Sequence, residues 1–202
     1  DIVLPLAISF FTFQQIAFLI EVYRKEIKSF NLTSYTSFVV FFPQLIAGPI
    51  VRYNQISKQL PHLGIRKSLF TTGISLFVLG LFKKLALADE LVRYVDPLFN
   101  SAHLGYTELN IIACWGALLA YGLQIYFDFS GYCDMALGLG LMFGIKLPIN
   151  FNSPYKSVSI IEFWRRWHIT LSDFLKRFVY IPLGGSKKSK ITTILALTTT
   201  MF

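Results

Sequence analysis

Residues 160–185 read IIEFWRRWHITLSDFLKRFVYIPLGG, and the way this stretch is wound decides how the rest of the chain is understood. At about 100° per residue a helix places Ile160, Phe163, Trp164, Trp167, Leu171, Phe174, Leu175 and Phe178 on one face. Glu162, Arg165, Arg166, Asp173, Lys176 and Arg177 lie opposite, so one continuous helix here is amphipathic with a net basic polar side. Trp and Arg both suit the headgroup level of a bilayer, because rings and long stems bury apolar surface while the polar tips stay wet. The expectation is an interfacial helix with His168 on the seam between its faces.

The composition around it fits a membrane. Of 202 residues, 54% are hydrophobic and 15% charged, against roughly a quarter charged in a soluble domain. The net charge of +8 would suit nucleic acid. The Lys and Arg lie between apolar runs and beside aromatics, however, as in loops facing anionic lipid, which argues against a nucleic-acid partner. Cys114 and Cys133 fall in or beside apolar segments without metal or redox spacing, so they read as reduced, buried thiols, and no metal is expected. The chain begins with Asp1 and ends at Phe202 within an apolar run, so a piece of a longer protein is expected.

Five apolar segments follow from the need for about 20 apolar residues per crossing. Residues 2–20 end at an interface marked by Tyr23, Arg24 and Lys25. Residues 35–50 carry Pro43, Gly48 and Pro49, which makes a kinked or re-entrant element as good a reading as a clean span. Residues 68–87 form the third and 109–127 the fourth. Residues 135–149 are too short to cross, and with Gly138, Gly140 and Gly144 they are drawn as a helix dipping in and returning. The loop 51–67 holds Arg52, Lys58, Arg66 and Lys67 with no acid, while 83–108 mixes both signs; Lys and Arg excess places 51–67 and 156–190 in the cytoplasm. The predicted fold is all-α, a polytopic transmembrane helical bundle with re-entrant segments and an interfacial amphipathic helix, in one multi-pass membrane domain over residues 1–202.

Four stretches hold more polar chemistry than a lipid-facing helix tolerates. In QIYFDFSGYCDMALGLG (124–140), Asp128 and Asp134 lie at membrane depth, where a carboxylate must face protein, water or a cation. Ser130-Gly131 between them predicts a break in the helix. Two roles stand side by side: a direct place in a site, or a pairing that holds the bundle together. A lone histidine such as His168 is more often packed than catalytic, but its seam position gives it access to a wet entrance. In FFPQLIAGPIVRYNQI (41–56), the breakers sit close to Arg52, so Gln44 and Arg52 could line a cavity; a helix terminus with an interface arginine is the plainer alternative. YIPLGGSKKSK (180–190) puts glycines before lysines without the spacing of a P-loop, so a surface turn with lipid-binding lysines is favoured over a phosphate cradle.

Taken in order, PLAISFFTFQQIAFLIEVYR, FFPQLIAGPIVRY, QIYFDFSGYCDMALGLGLMFGIKLPINFNSPY and FWRRWHITLSDFLKRFVYIPLGG resemble the central part of the membrane-bound O-acyltransferase (MBOAT) superfamily. The likeness is to its bacterial branch, which includes alginate O-acetyltransferase and the membrane subunit that moves D-alanine onto teichoic acids. The resemblance implies helices around a funnel in the cell's inner membrane. It also implies transfer of an acyl group, acetyl for the polysaccharide-modifying members, from a cytoplasmic thioester donor towards hydroxyls of an extracytoplasmic polysaccharide. The donor is a co-substrate, acetyl-CoA or an acyl carrier protein thioester, and no resident cofactor is implied. Membrane lipid, the polysaccharide and a secreted or periplasmic acyltransferase are the implied partners.

By the same resemblance His168 is the polar residue of an RWH-like motif and so the catalytic candidate. A second histidine, the more usual base, is expected beyond residue 202, so the chain alone is expected to be inactive. Arg165, Arg166, Asp128, Asp134 and Arg52 are the candidates for donor or substrate binding. The competing class is an ion-coupled transporter or lipid translocator, in which Asp128 and Asp134 would bind ions.

Overall fold

The computed structural model describes residues 8–45, 48–104, 110–187 and 189–201. Every regular element among them is helical, and no strand is present among the described residues. Glu108, Lys188 and residues 2–7 of the first apolar segment lie outside the described residues. The chain divides into two units, one made of the residues up to Gly64 and from Gly144 onward, the other of Ile65–Phe143.

The second unit is a long antiparallel pair. Helix α4 (Lys67–Phe82) continues without a stop through a widened π-helical stretch, Lys83–Ala88, into α5 (Asp89–His103), and α6 (Ile111–Met142) returns alongside. Both continuous helices, Lys67–His103 and Ile111–Met142, are long and apolar enough to cross a membrane. At 1.5 Å per residue, the 32 residues of α6 rise about 48 Å, beyond the roughly 30 Å of a hydrocarbon core.

What lets α4 and α6 approach is a matched set of glycines seven residues apart. A Cβ on Gly73 would meet the Gly138 carbonyl oxygen at 2.6 Å, and one on Gly80 would meet the Gly131 carbonyl oxygen at 2.5 Å. Small residues that permit backbone contact are the usual means of joining helices in lipid, where apolar burial supplies no drive.

This pairing corrects two expectations. Ser130-Gly131 does not break the helix, since α6 is unbroken from Ile111 to Met142. Nor do residues 135–149 form a separate re-entrant helix: the first part completes α6, and its glycine at 138 serves the α4 contact. The helix stops near Gly144, whose φ of 83° is the left-handed geometry that glycine adopts freely after a helix end.

In the first unit, α1 (Ile8–Tyr23) contributes Ala17 to a core with Ile50, Phe174 and Phe178, flanked by Phe13, Ile20, Leu171 and Leu175. Helix α2 (Leu32–Val40) is capped by Asn31, whose side chain accepts from the Ser34 N–H at 2.6 Å. It is only 9 residues long and gives way to a short 3₁₀ turn at Phe42–Gln44, held by the Gln44 side-chain amide donating to the Phe38 carbonyl. Helix α3 (Tyr53–Ser57) follows, and Tyr53 meets Phe38 edge-on at 5.8 Å.

The stretch 160–178 is two helices rather than one. Helix α7 (Ile160–Arg166) ends at an extended Trp167, and α8 (Ile169–Leu175) starts after a left-handed His168. The continuous wheel is therefore cut in its middle, and the seam position of His168 is replaced by a place in the turn itself. A second π-helical stretch, Lys176–Tyr180, extends α8; α9 (Lys190–Met201) closes the described chain.

Candidate active site

His168 owes its position to a short non-helical segment, Asn150–Asn152, that is hydrogen-bonded on both sides of its turn. The Asn152 N–H donates to the Arg166 carbonyl at 3.0 Å, and the Ile169 N–H donates to the Asn150 carbonyl at 3.0 Å. Between those bonds Phe151 meets Trp167 edge-on, with ring centroids 5.1 Å apart. Trp167 in turn stacks on Phe163 of α7 at 5.5 Å. His168 takes φ 45° and ψ 53°, a conformation that costs a residue other than glycine of order 1–2 kcal/mol. The hydrogen bonds on either side hold that geometry in place. Burial pushes the imidazole down to about 4, so it is neutral at physiological pH.

Below this turn lies a cavity of about 300 Å³. Its polar wall is Arg52, Gln55, Thr170, Asp173, Lys176 and Arg177, and Ile149, Ile169, Phe174 and Ile181 are among its apolar residues. The two residues that follow His168 thus reach the cavity, whereas the histidine is not among its lining groups.

A buried carboxylate organises the cations. Glu21, on α1 and fully buried, accepts from Arg52 Nη1 at 3.0 Å and lies 3.9 Å from Arg177 Nε. Arg177 also pairs with Glu26. An isolated buried carboxylate would be costly, and two guanidinium groups beside it offset that cost. The pairs leave Lys176 and Asp173 as the remaining charges on the wall.

The sequence candidates separate. Arg52 is among the residues that line the cavity, and Gln44 is buried away from it. Arg166 is engaged with Glu162 at 2.6 Å and with the Asn152 carbonyl at 3.2 Å, so it ties α7 to the gripping segment. The Val158 N–H and then Arg166 hold the Glu162 carboxyl below its usual range. Arg165 is exposed. Asp128 and Asp134 belong to the helical pair, where Lys84 lies 2.7 Å from Asp128 and 2.6 Å from Asp89, and Lys83 lies 2.5 Å from Asp134. These lysines stand at the start of the π-helical stretch, where the Asp89 N–H reaches the Lys84 carbonyl. At the glycine turn 184–185, where Gly185 is buried, the Tyr180 and Ser186 hydroxyls lie 2.8 Å apart. Glu21, Asn150 and Arg177 were not singled out from sequence, since each acts through a partner distant along the chain.

Comparison with known proteins places this arrangement. Residues 2–202 match the membrane-bound O-acyltransferase family. The chain belongs to that family. This MBOAT chain is 46% identical to a peptidoglycan O-acetyltransferase of Helicobacter pylori, over 94% of the chain and 41% of that protein. It is 44% identical to a probable alginate O-acetylase of Pseudomonas aeruginosa, over 99% of the chain and 38% of that protein. A teichoic acid D-alanyltransferase of Streptococcus thermophilus is 31% identical over 88% of the chain and 44% of that protein. The MBOAT chain thus spans about two fifths of the length of these relatives.

Proposed function

We propose that the protein is an O-acyltransferase that takes an acyl group, acetyl in the simplest case, from a thioester donor at the cytoplasmic face and passes it towards hydroxyls of an extracytoplasmic polysaccharide. The observation that carries this reading is the match along nearly the whole chain to two relatives named for O-acetylation of peptidoglycan and alginate. Donor and acceptor meet within a multi-pass bundle of the inner membrane, α4 and α6 crossing it. The segment 35–50 is re-entrant, and α7 and α8 together lie at the interface as an amphipathic unit.

In the reaction an acceptor oxygen attacks the thioester carbonyl carbon. The C–O bond forms, the C–S bond breaks, the hydroxyl proton passes to a base and the departing thiolate takes up a proton. A base works best with a pKa near the operating pH. An imidazole held near 4 is a poor proton acceptor at pH 7 but a neutral hydrogen-bonding group. We assign His168 the task of orienting a reacting group, and assign proton removal to the family's later histidine, beyond residue 202. Both proposed donors, acetyl-CoA and an acyl carrier protein arm, carry phosphate. Lys176 on the cavity wall suits that phosphate, Arg52 stays with Glu21, and exposed Arg165 suits lipid phosphate. Arg166 holds the turn, and Asp128 and Asp134 hold the helical pair through their lysines. The transporter reading loses its ion-binding groups to those same pairs.

The test is acyl transfer by the full-length protein in membranes, with radiolabelled acetyl-CoA and the producer's own polysaccharide, comparing wild type with His168→Ala at matched expression. Label entering polysaccharide with wild type and falling at least about tenfold with the variant is expected. Equal label in both reduces His168 to structure, and no label in either defeats the acetyl-transfer reading.

A further inference from the structure

The turn that presents His168 has an unusual dependence on one distant residue. A helix begins with orphan N–H groups, commonly satisfied by a Ser, Thr, Asp or Asn at the N-cap. In α8 the N-cap is His168, left-handed and without a side-chain cap bond. Asn150 performs the task from outside. Its carbonyl accepts the Ile169 N–H at 3.0 Å, and its Oδ1 accepts the Thr170 N–H at 3.2 Å and the Thr170 hydroxyl at 3.0 Å. The same hydroxyl accepts the Ile50 N–H at 3.0 Å, which ties the first turn of α8 to the segment leading into Arg52. Asn150 is 1% exposed and Thr170 6%, so no water competes for these bonds.

We propose that Asn150 is a positioning residue for His168: it caps α8 in place of the N-cap side chain, and so frees position 168 to hold an imidazole in a left-handed turn. A conventional cap at 168 would supply the missing acceptor at the cost of the histidine. With the acceptor at 150, the first two N–H groups of α8 are satisfied and the strained backbone of His168 is fixed between two anchored neighbours. A single anchored amide also links the histidine's turn to the wall of the cavity through Thr170 and Ile50. The inference rests on the active-site role assigned to His168 only for its catalytic consequence; the positioning itself stands on geometry.

The experiment uses the full-length protein in membranes with Asn150→Asp and Asn150→Gln, and reads two quantities. The first is ethoxycarbonylation of the His168 imidazole by diethylpyrocarbonate, followed by mass spectrometry of the peptide carrying it. The second is acyl transfer, split into kcat and KM for acetyl-CoA. Asp keeps a short acceptor at the same place, and the Thr170 N–H and hydroxyl at the start of α8 offset the burial of its charge, so near wild-type labelling and kcat are expected. Gln carries the acceptor a methylene further out, so His168 labelling is expected to rise severalfold. With Gln, kcat should fall about tenfold or more while KM changes little. A Gln variant indistinguishable from wild type in labelling, or an Asp variant as altered as Gln, overturns the proposal. Altered labelling with unchanged kcat upholds the cap and rejects instead the catalytic role of His168, so the two readings fail separately. Size-exclusion elution in detergent accompanies both variants, and loss of folding with Asp as well as Gln also overturns the acceptor assignment.

Discussion

The charge state of His168 sets what it can do. Its pKa in the folded chain is pushed by burial to about 4, below the roughly 6.5 of an unfolded chain. Between those values the unfolded state binds more protons than the folded one, so stability rises with pH across that window and is flat above it. Acidifying from pH 7.5 to 5 should therefore lower the thermal midpoint of the wild type more than that of His168→Ala, read by fluorescence-detected size exclusion in one detergent. Equal shifts would mean the imidazole already titrates in its ordinary range. At this scale the sequence exposed groups whose neighbours in the chain betray them. Arg52 follows a proline and glycine break, and His168 sits in an aromatic and basic run. Glu21 and Asn150 were hidden because their meaning lies in partners: Arg52 is 31 positions from Glu21, and Thr170 is 20 from Asn150. No local spacing encodes such pairs.

Two glycines in the same helix should respond oppositely to an added methyl. A Cβ on Gly80 meets the Gly131 carbonyl at 2.5 Å and the Met135 backbone nitrogen at 2.7 Å, so the helices must part. Overpacking of this kind costs about 1–3 kcal/mol. Gly131 of α6 would likewise run into the Gly80 carbonyl, whereas a Cβ on Gly116, further up α6, meets nothing within 4 Å. Gly131→Ala is expected to lower the thermal midpoint in detergent by several degrees, and Gly116→Ala to leave it unchanged or raise it through better helix propensity. A loss at 116 equal to that at 131 would show that the glycines act through backbone freedom rather than contact. The same glycines explain why the elements were misread from sequence. Apolar length was legible, and it located both long helices. Glycine has two meanings in a membrane helix, breaker or contact point, and only the facing set at 73 and 80 decides between them. The cut at Trp167 and His168 was equally invisible, because a helical wheel presumes the continuity that Asn150 and Asn152 interrupt.

At the scale of the molecule, an antiparallel pair of helices, each long and apolar enough to cross a membrane, fixes which ends share a side. Lys67 opens α4 and Met142 closes α6 at one end of the pair, while His103 and Ile111 stand at the other. Arg52, Lys58, Arg66 and Lys67 precede the pair without an intervening acid. The excess of Lys and Arg beside a crossing marks its cytoplasmic end. Residues 144–190 follow the pair in sequence and carry a further basic set, including Lys156, Arg165, Arg166, Lys176 and Arg177, so the charge on both flanks favours one orientation. The arrangement is checked with single cysteines in full-length protein lacking Cys114 and Cys133, probed in intact cells with a membrane-impermeant maleimide small enough to pass any outer membrane. Leu104→Cys, at an exposed position beyond the far end of α5, should label in intact cells. Leu63→Cys, exposed before α4, should label only after the inner membrane is opened. The reverse pattern would put the basic loop 51–67 on the outer face and overturn the orientation that its Lys and Arg excess favours.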